Sequence, residues 1–259
     1  MNEENLINYY NKFNEDKRLN SRHGKLEFIT SMKYIHDYLK DFSNPKILDI
    51  GAGTGRYSIS LANEGYDVSA VELVKHNLRV IEKNSSLVHA YLGNALDLSK
   101  FSDESFDITL LFGPMYHLIS FDEKVKALNE VKRVTRKNGI IMVAYCMNDY
   151  AVIRHGFMEK SIKEDLKNNL INEDFHVTPD STSLYSYLNL DDINKLNEVV
   201  GLKRIKIISP DGCANYLRSY INKLDDEEFD LFVQYHLKNC ERNDLIGAGA
   251  HTLDILKKC

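Results

Sequence analysis

The sequence predicts an α/β fold, a doubly wound and mostly parallel sheet with helices on both faces and a small cap. Two observations predict it. Short apolar runs bounded by turn residues alternate with segments of helical period from Pro45 to the end of the chain. The first run, Lys46–Ile50, leads straight into the glycine-rich turn Gly51-Ala52-Gly53-Thr54-Gly55. Alternating strands and helices build a sheet covered on both sides, and ligands of such sheets sit at the carboxyl ends of the strands.

The elements follow in order. Residues 3–42 read as helical, with Leu26, Ile29, Met32, Tyr38, Leu39 and Phe42 as a partial stripe and a polar break from Asn14 to Gly24. Strand Lys46–Ile50 precedes a helix from about Gly55 to Asn63, which Gly65 stops. Strand Asp67–Glu72, helix Lys75–Asn84, strand Val88–Leu92 and strand Asp107–Phe112 come next. Ser120 and Glu123 match a capping box, so a helix runs from there to about Arg136. Asn138-Gly139 ends it, and Ile140–Cys146 is a buried strand. Residues 149–171 carry a helical stripe of Ile153, Phe157, Met158, Ile162, Leu166 and Leu170, and 174–188 is rich in Thr, Ser and β-formers. The regular rhythm resumes with a helix capped by Asn189 and stopped by Gly201, strand Leu202–Ser209, a helix capped by Asp225, and a last strand at about Ala250–Lys257.

Composition and motif content argue against several function classes. The chain has 259 residues, net charge −5 and no run of Lys or Arg, so it offers no electrostatic footprint for a nucleic acid. No apolar run approaches the roughly 20 residues of a membrane helix, and the N-terminus lacks the pattern of a secretion signal. Cys146, Cys213, Cys240 and Cys259 are far apart, with no C-x-x-C pair. They read as reduced thiols, and the expected location is cytoplasmic. The nine histidines show no spacing of metal ligands, so no metal is expected. A hydrolase reading fails for want of a G-x-S-x-G elbow.

The glycine turn carries the chemistry. Glycines at alternate positions permit positive φ and let a ligand approach the backbone. Gly55 comes one residue too early for the dinucleotide fingerprint. Asp49, just before the turn, would repel a pyrophosphate but suits a ligand bearing an ammonium or sulfonium group. The stretch Ile47-Leu48-Asp49-Ile50-Gly51-Ala52-Gly53-Thr54-Gly55-Arg56 resembles the first motif of the class I S-adenosylmethionine (SAM) dependent methyltransferases, and the resemblance is specific over about residues 44–147. It implies a Rossmann-like, seven-stranded sheet whose last strand is reversed. It also implies SAM binding by Asp49, Gly51, Ala52, Gly53, Thr54 and Gly55.

Glu72 ends the second strand, 23 residues after Asp49. A carboxylate there can accept bonds from a ribose diol, the role the resemblance gives it; otherwise it is a surface Glu opening a loop. Asn94 stands where the family usually has Asp against the adenine amino group, with Ala95 beside it contributing backbone; the other reading is a loop Asn. Gly113 opens the loop after the fourth strand, which continues to Tyr116 and His117. This loop departs from the N/D-P-P-Y/F motif of enzymes that methylate nucleobase amines. Tyr116 is a candidate wall and His117 either a base titrating near neutrality or a hydrogen-bonded structural histidine. Tyr10, Arg22 and Tyr145 are further substrate candidates, beside Tyr9, Arg18 and His23.

The reading is a SAM-dependent methyltransferase of a small molecule with an O, N or S nucleophile. Residues 1–43 form a helical lid, and residues 44–259 a catalytic domain with a cap insertion at about 148–188. The protein is expected to be a monomer or homodimer without nucleic-acid or membrane partners. Alternatives are a non-catalytic SAM-binding or partner-binding protein, a nicotinamide enzyme, and an RNA or protein methyltransferase.

Overall fold

The structure is a computed structural model, and it describes residues 6–9, 21–180 and 182–259. Seven strands form one sheet: β1 (Lys46–Ile50), β2 (Asp67–Glu72), β3 (Val88–Leu92), β4 (Phe106–Leu111), β5 (Thr135–Cys146), β6 (Lys203–Ile208) and β7 (His251–Lys257). Their order is β3-β2-β1-β4-β5-β7-β6. Neighbours from β3 to β5 pair in parallel, and β7 is antiparallel to both β5 and β6.

Period-two alternation splits the core between the two faces. In β1, Leu48 and Ile50 join Leu111, Val143 and Tyr145 on one face, under Leu128, Val131, Ile193 and Leu196. Ile47 points the other way, with Val68, Ile108, Leu110 and Met142, under Ile35, Leu61 and Ile81. The covering helices are thus α4 (Phe121–Val134) and α7 (Leu190–Val200) on the first face. On the second lie α1 (Arg22–Leu39), α2 (Arg56–Asn63) and α3 (Lys75–Asn84). Every residue of β4 is buried, as expected of a central parallel strand covered on both faces.

The helix ends follow the sequence. Ser120, Asn189 and Asp225 each form a complete capping box, and the last opens α9 (Asp226–Asn239). Gly65 and Gly201 end their helices at φ +97° and +68°. Three expectations need correction. Helix α4 stops at Val134 and β5 begins at Thr135, whose hydroxyl donates to Val131 O at 2.7 Å. The expected Asn138 turn is instead an irregularity inside that long strand, at φ +65°. Segment 149–171 is not one helix. It breaks into α5 (Asn148–Ala151), a π-helical turn (Val152–Met158) and α6 (Ile162–Lys167). The wider i→i+5 turn shifts the angular register. The apolar stripe therefore faces outward, with Ile153, Phe157 and Met158 exposed at 45 %, 55 % and 53 %.

Segment 174–188 forms no strand. It is held by isolated bridges and by side chains: Asn148 donates to Phe175 O at 3.0 Å and accepts from Val177 N at 2.8 Å. The short helix α8 (Arg218–Ile221) precedes α9. Among the described residues, no helix is long and apolar enough to cross a membrane.

Candidate functional site

The loops after β1, β2, β3 and β4 meet at the carboxyl edge of the sheet. Gly51, Gly53 and Gly55 all have positive φ, +72°, +58° and +89°. The turn is tied to β2, because Gly51 N and Ala52 N both donate to Val71 O. It also touches the loop after β4: a Cβ on Gly51 would lie 2.6 Å from Pro114 Cδ, and one on Gly113 would lie 3.1 Å from Gly51 O. Small residues at both places let the two loops close together.

Glu72 is buried and braces the turn. Its Oε2 accepts from Gly53 N at 2.8 Å, and its Oε1 accepts from Val74 N at 2.8 Å and Asn77 Nδ2 at 3.4 Å. A carboxylate has about four lone-pair sites, so it can accept from a ligand as well. Asn94 folds its side chain back to accept from Leu96 N at 3.0 Å.

The loops at this edge line one cavity, about 590 Å³ when the open solvent at its mouth is counted. Gly51, Gly53, Glu72, Asn94, Ala95, Gly113 and His117 line it. Asp49, Ala52, Thr54 and Gly55 do not. Asp49 lies underneath, fully buried, and burial pushes its carboxyl up to about 6, with Ser58 holding it down in part. Gly55 packs inward, its Cβ position 2.9 Å from Ile59 and Ile81. Val71, Leu73, Val74, Asn77, Pro114, Leu118 and Leu6 also line the cavity and were not singled out. The first four surround the strand end that Glu72 already marked.

An aromatic cluster adjoins the cavity at His117. Tyr116 contacts His117, Tyr185 and His251 at centroid distances of 4.8, 6.0 and 6.3 Å. Tyr185 also meets His117, Tyr187 and Tyr9 at 5.0, 6.3 and 6.2 Å. The His117 Nδ1 faces Leu184 O at 2.8 Å and must donate to it, which makes Nε2 the basic nitrogen. Burial pushes the ring down to about 4, against the raising effect of the Leu184 carbonyl. The expected titration near neutrality is therefore corrected, because a buried imidazole in this setting stays neutral. Lys124, also buried, ties this loop to the cap by donating to Leu118 O, Ile119 O and Ser186 Oγ, and burial lowers it to about 8.

Two candidates move away from the crevice. Tyr145 is 1 % exposed and packs in the core, so it cannot wall a substrate. Arg22 pairs with Asp226 and lies over the Phe229 ring, which spends it on the contact between α1 and α9. Tyr10 and Arg18 lie outside the described residues, while His23 bonds Asn222.

A second polar group sits at the same edge. The His251 Nδ1 lies 2.7 Å from Asp211 Oδ2 and 3.7 Å from Glu27 Oε2, and the His251 N–H donates to Asp211 Oδ1 at 3.2 Å. Asn215 also donates to Asp211 at 2.7 Å. Atoms of Glu27, Asp211 and His251 lie within 4.8 Å of one another, close enough to share a cation. The hydrogen bonds already engage both oxygens of Asp211.

A family model described as a methyltransferase domain matches residues 41–198. The demethylmenaquinone methyltransferase of Renibacterium salmoninarum is 37 % identical over 100 residues, 38 % of this chain and 40 % of that one. The chain thus matches less than half the length of that relative. A SAM-dependent methyltransferase from Methanosarcina mazei superposes with a TM-score of 0.58 at 17 % identity, over 87 % of this chain and 96 % of that one. A Thermotoga maritima protein described as a SAM-dependent, possible histamine N-methyltransferase gives a TM-score of 0.57 at 17 % identity, over 97 % and 98 %. These neighbours share the fold.

Proposed function

The chain belongs to the methyltransferase-domain family, and on that premise we propose that it transfers a methyl group from SAM to a small-molecule acceptor. The observation that carries this reading is the cavity at the carboxyl edge, where the glycine turn, Glu72 and Asn94 converge. The donor set fits the cofactor: a glycine backbone for close approach, a carboxylate for the ribose, and Ala95, Val74 and Leu118 as an apolar slot for the base. SAM, when bound, supplies the activated methyl carbon. The protein's part is to orient the acceptor and to exclude water.

Residues 6–9 and 148–188 serve as lid and cap, whereas α1, expected within the lid, packs on a face of the sheet. Leu6 lines the cavity, and the Tyr9 hydroxyl is 3.4 Å from that of Tyr185, so the two segments meet over the crevice. Net charge and the aromatic acceptor end favour a small molecule over RNA. Relatives named for demethylmenaquinone and ubiquinone biosynthesis support that class.

Calorimetry tests the cofactor. Gly53→Val should weaken SAM binding at least tenfold, about 1.4 kcal/mol; unchanged affinity in a folded variant refutes the assignment. Isotope transfer from labelled SAM into a fractionated metabolite extract tests the chemistry. SAM binding without transfer into any fraction would favour a non-catalytic role, and steeply salt-dependent binding to transfer RNA would favour a nucleic-acid substrate.

A further inference from the structure

We propose that His251, oriented by Asp211 and Glu27, is the general base that receives the acceptor's proton at Nε2, an inference that rests on the methyltransferase reading above. Position is the first argument. Strand β7 is antiparallel, so its first residue, His251, pairs with Cys146, the last residue of β5, at the ligand edge of the sheet. Its ring contacts Tyr116, which in turn contacts His117 in the cavity wall.

Orientation is the second. A carboxylate oxygen accepts, so the proton of the neutral ring sits on Nδ1, against Asp211 Oδ2. The backbone N–H of the same residue fixes the other oxygen, and Asn215 adds a third bond to Asp211. This two-point clamp sets the tautomer and ring plane and leaves the Nε2 lone pair unengaged. Among the described residues Nε2 has no hydrogen-bond partner, and the side chain keeps 16 % of its exposure.

Basicity is the third. Burial pulls the imidazolium down, but Glu27 from α1, Cys146 from β5 and Asp211 from the loop after β6 hold it well above 6.5. The Tyr116 ring lies against it, and Tyr150 from α5 lies close enough to feel its charge. His117 is pushed the opposite way by burial, against the Leu184 carbonyl. Of the two histidines at this edge, His251 is the stronger base. The balance is simple: the acceptor's lone pair forms the bond to the methyl carbon, sulfur keeps the electrons of the broken S–C bond, and the acceptor's proton goes to Nε2. The resulting imidazolium is stabilised by Asp211 and Glu27, which act as positioning residues.

The role of a base predicts activity that rises with pH as His251 deprotonates, through a value above 6.5. Histidine-labelled full-length protein, titrated by NMR with S-adenosylhomocysteine present, should show His251 protonated at Nδ1 in the neutral form and titrating above 6.5. Asp211→Asn should lower that value by at least one unit. A His251 that titrates at or below 6.5 in the wild type overturns the proposal without any variant. Labelled-methyl transfer into the metabolite extract is then compared across wild type, His251→Gln and Asp211→Asn from pH 6 to 9. His251→Gln should cut transfer at least a hundredfold at pH 8, in the range of general-base effects, with SAM affinity by calorimetry within twofold. Asp211→Asn should move the inflection of the profile downward. Equal transfer by wild type and His251→Gln sinks this inference alone. No transfer by the wild type sinks the methyltransferase reading and this inference with it. Stoichiometric binding of Zn²⁺ alone, lost in His251→Gln, would overturn the base role in favour of a metal site.

Discussion

The two halves of the crevice are built by different means. The cofactor half, at β1, β2, β3 and β4, is made from backbone: three glycines with positive φ, two N–H groups on Val71 O, and one carboxylate bracing the turn. The half proposed for the acceptor, at β5 and β7, is made from side chains that come from α1, the loop after β4, the cap, the loop after β6 and the start of β7. A backbone cradle needs particular residues at adjacent positions, so it leaves a contiguous motif. A side-chain cluster assembled from five segments leaves none.

That contrast can be broken most sharply at Gly51. Gly51→Val places a branched side chain at φ +72° and drives its Cβ into Pro114. SAM affinity should fall at least a hundredfold, about 2.7 kcal/mol, and unchanged affinity would mean that the two loops do not need to touch.

The two histidines offer the next test, because they should respond to pH with opposite sign. His117 folds with a pKa near 4 against 6.5 unfolded, so between these values the unfolded chain holds more protons. Its contribution is present above pH 6.5 and is lost as pH falls toward 4, by roughly 3 kcal/mol in total. Asp49, raised to about 6, works against it in the same window. The measurement is therefore the difference in denaturation free energy between wild type and His117→Asn, followed from pH 7 to 4. His251, raised above 6.5, contributes stability below pH 6.5 that is lost as pH rises through its folded value. A wild-type-minus-variant difference that is flat with pH at either site would erase the contrast.

Glu72→Gln keeps the shape but removes the charge from bonds to Gly53 and Val74. Each charge-assisted bond is worth roughly 1.5–3 kcal/mol, and a neutral amide keeps part of that. SAM and its demethylated product should each bind about tenfold more weakly. Full affinity would show that the brace, rather than a ligand contact, is what Glu72 supplies. The smallest effect is expected at Tyr185→Phe, which removes one long hydroxyl contact to Tyr9 and leaves the ring stack. A loss of stability above about 1 kcal/mol would mean that the lid rests on that contact.

Legibility in the sequence follows the same division. The strands flanking the glycine turn, the capping residues Ser120, Asn189 and Asp225, and the stops at Gly65 and Gly201 follow from local rules and stand where those rules put them. That Gly51, Gly53, Glu72 and Asn94 meet at one cavity was legible because glycine spacing and strand ends are local signals. Tyr145 misled because it ends a strand at the ligand edge, and only the sheet's alternation shows that it points into the core. Arg22 misled because its partner, Asp226, lies 204 residues away. His251 had one usable signal: a reversed last strand begins at the edge where the others end. The helical stripe in 149–171 failed because a period of 3.6 does not foresee a π-helical turn.

Lys124 has a consequence for how the crevice can open. Its ammonium is buried among two carbonyls and the Ser186 hydroxyl, and Ser186 N also donates to Tyr116 O at 2.7 Å. Lifting 184–188 off the β4 loop would strip a cation of one partner while it stayed out of water, a costly state. At the other end, Asn148 pins Phe175 and Val177. The cap is therefore moored at both ends, like a bridge on two piers.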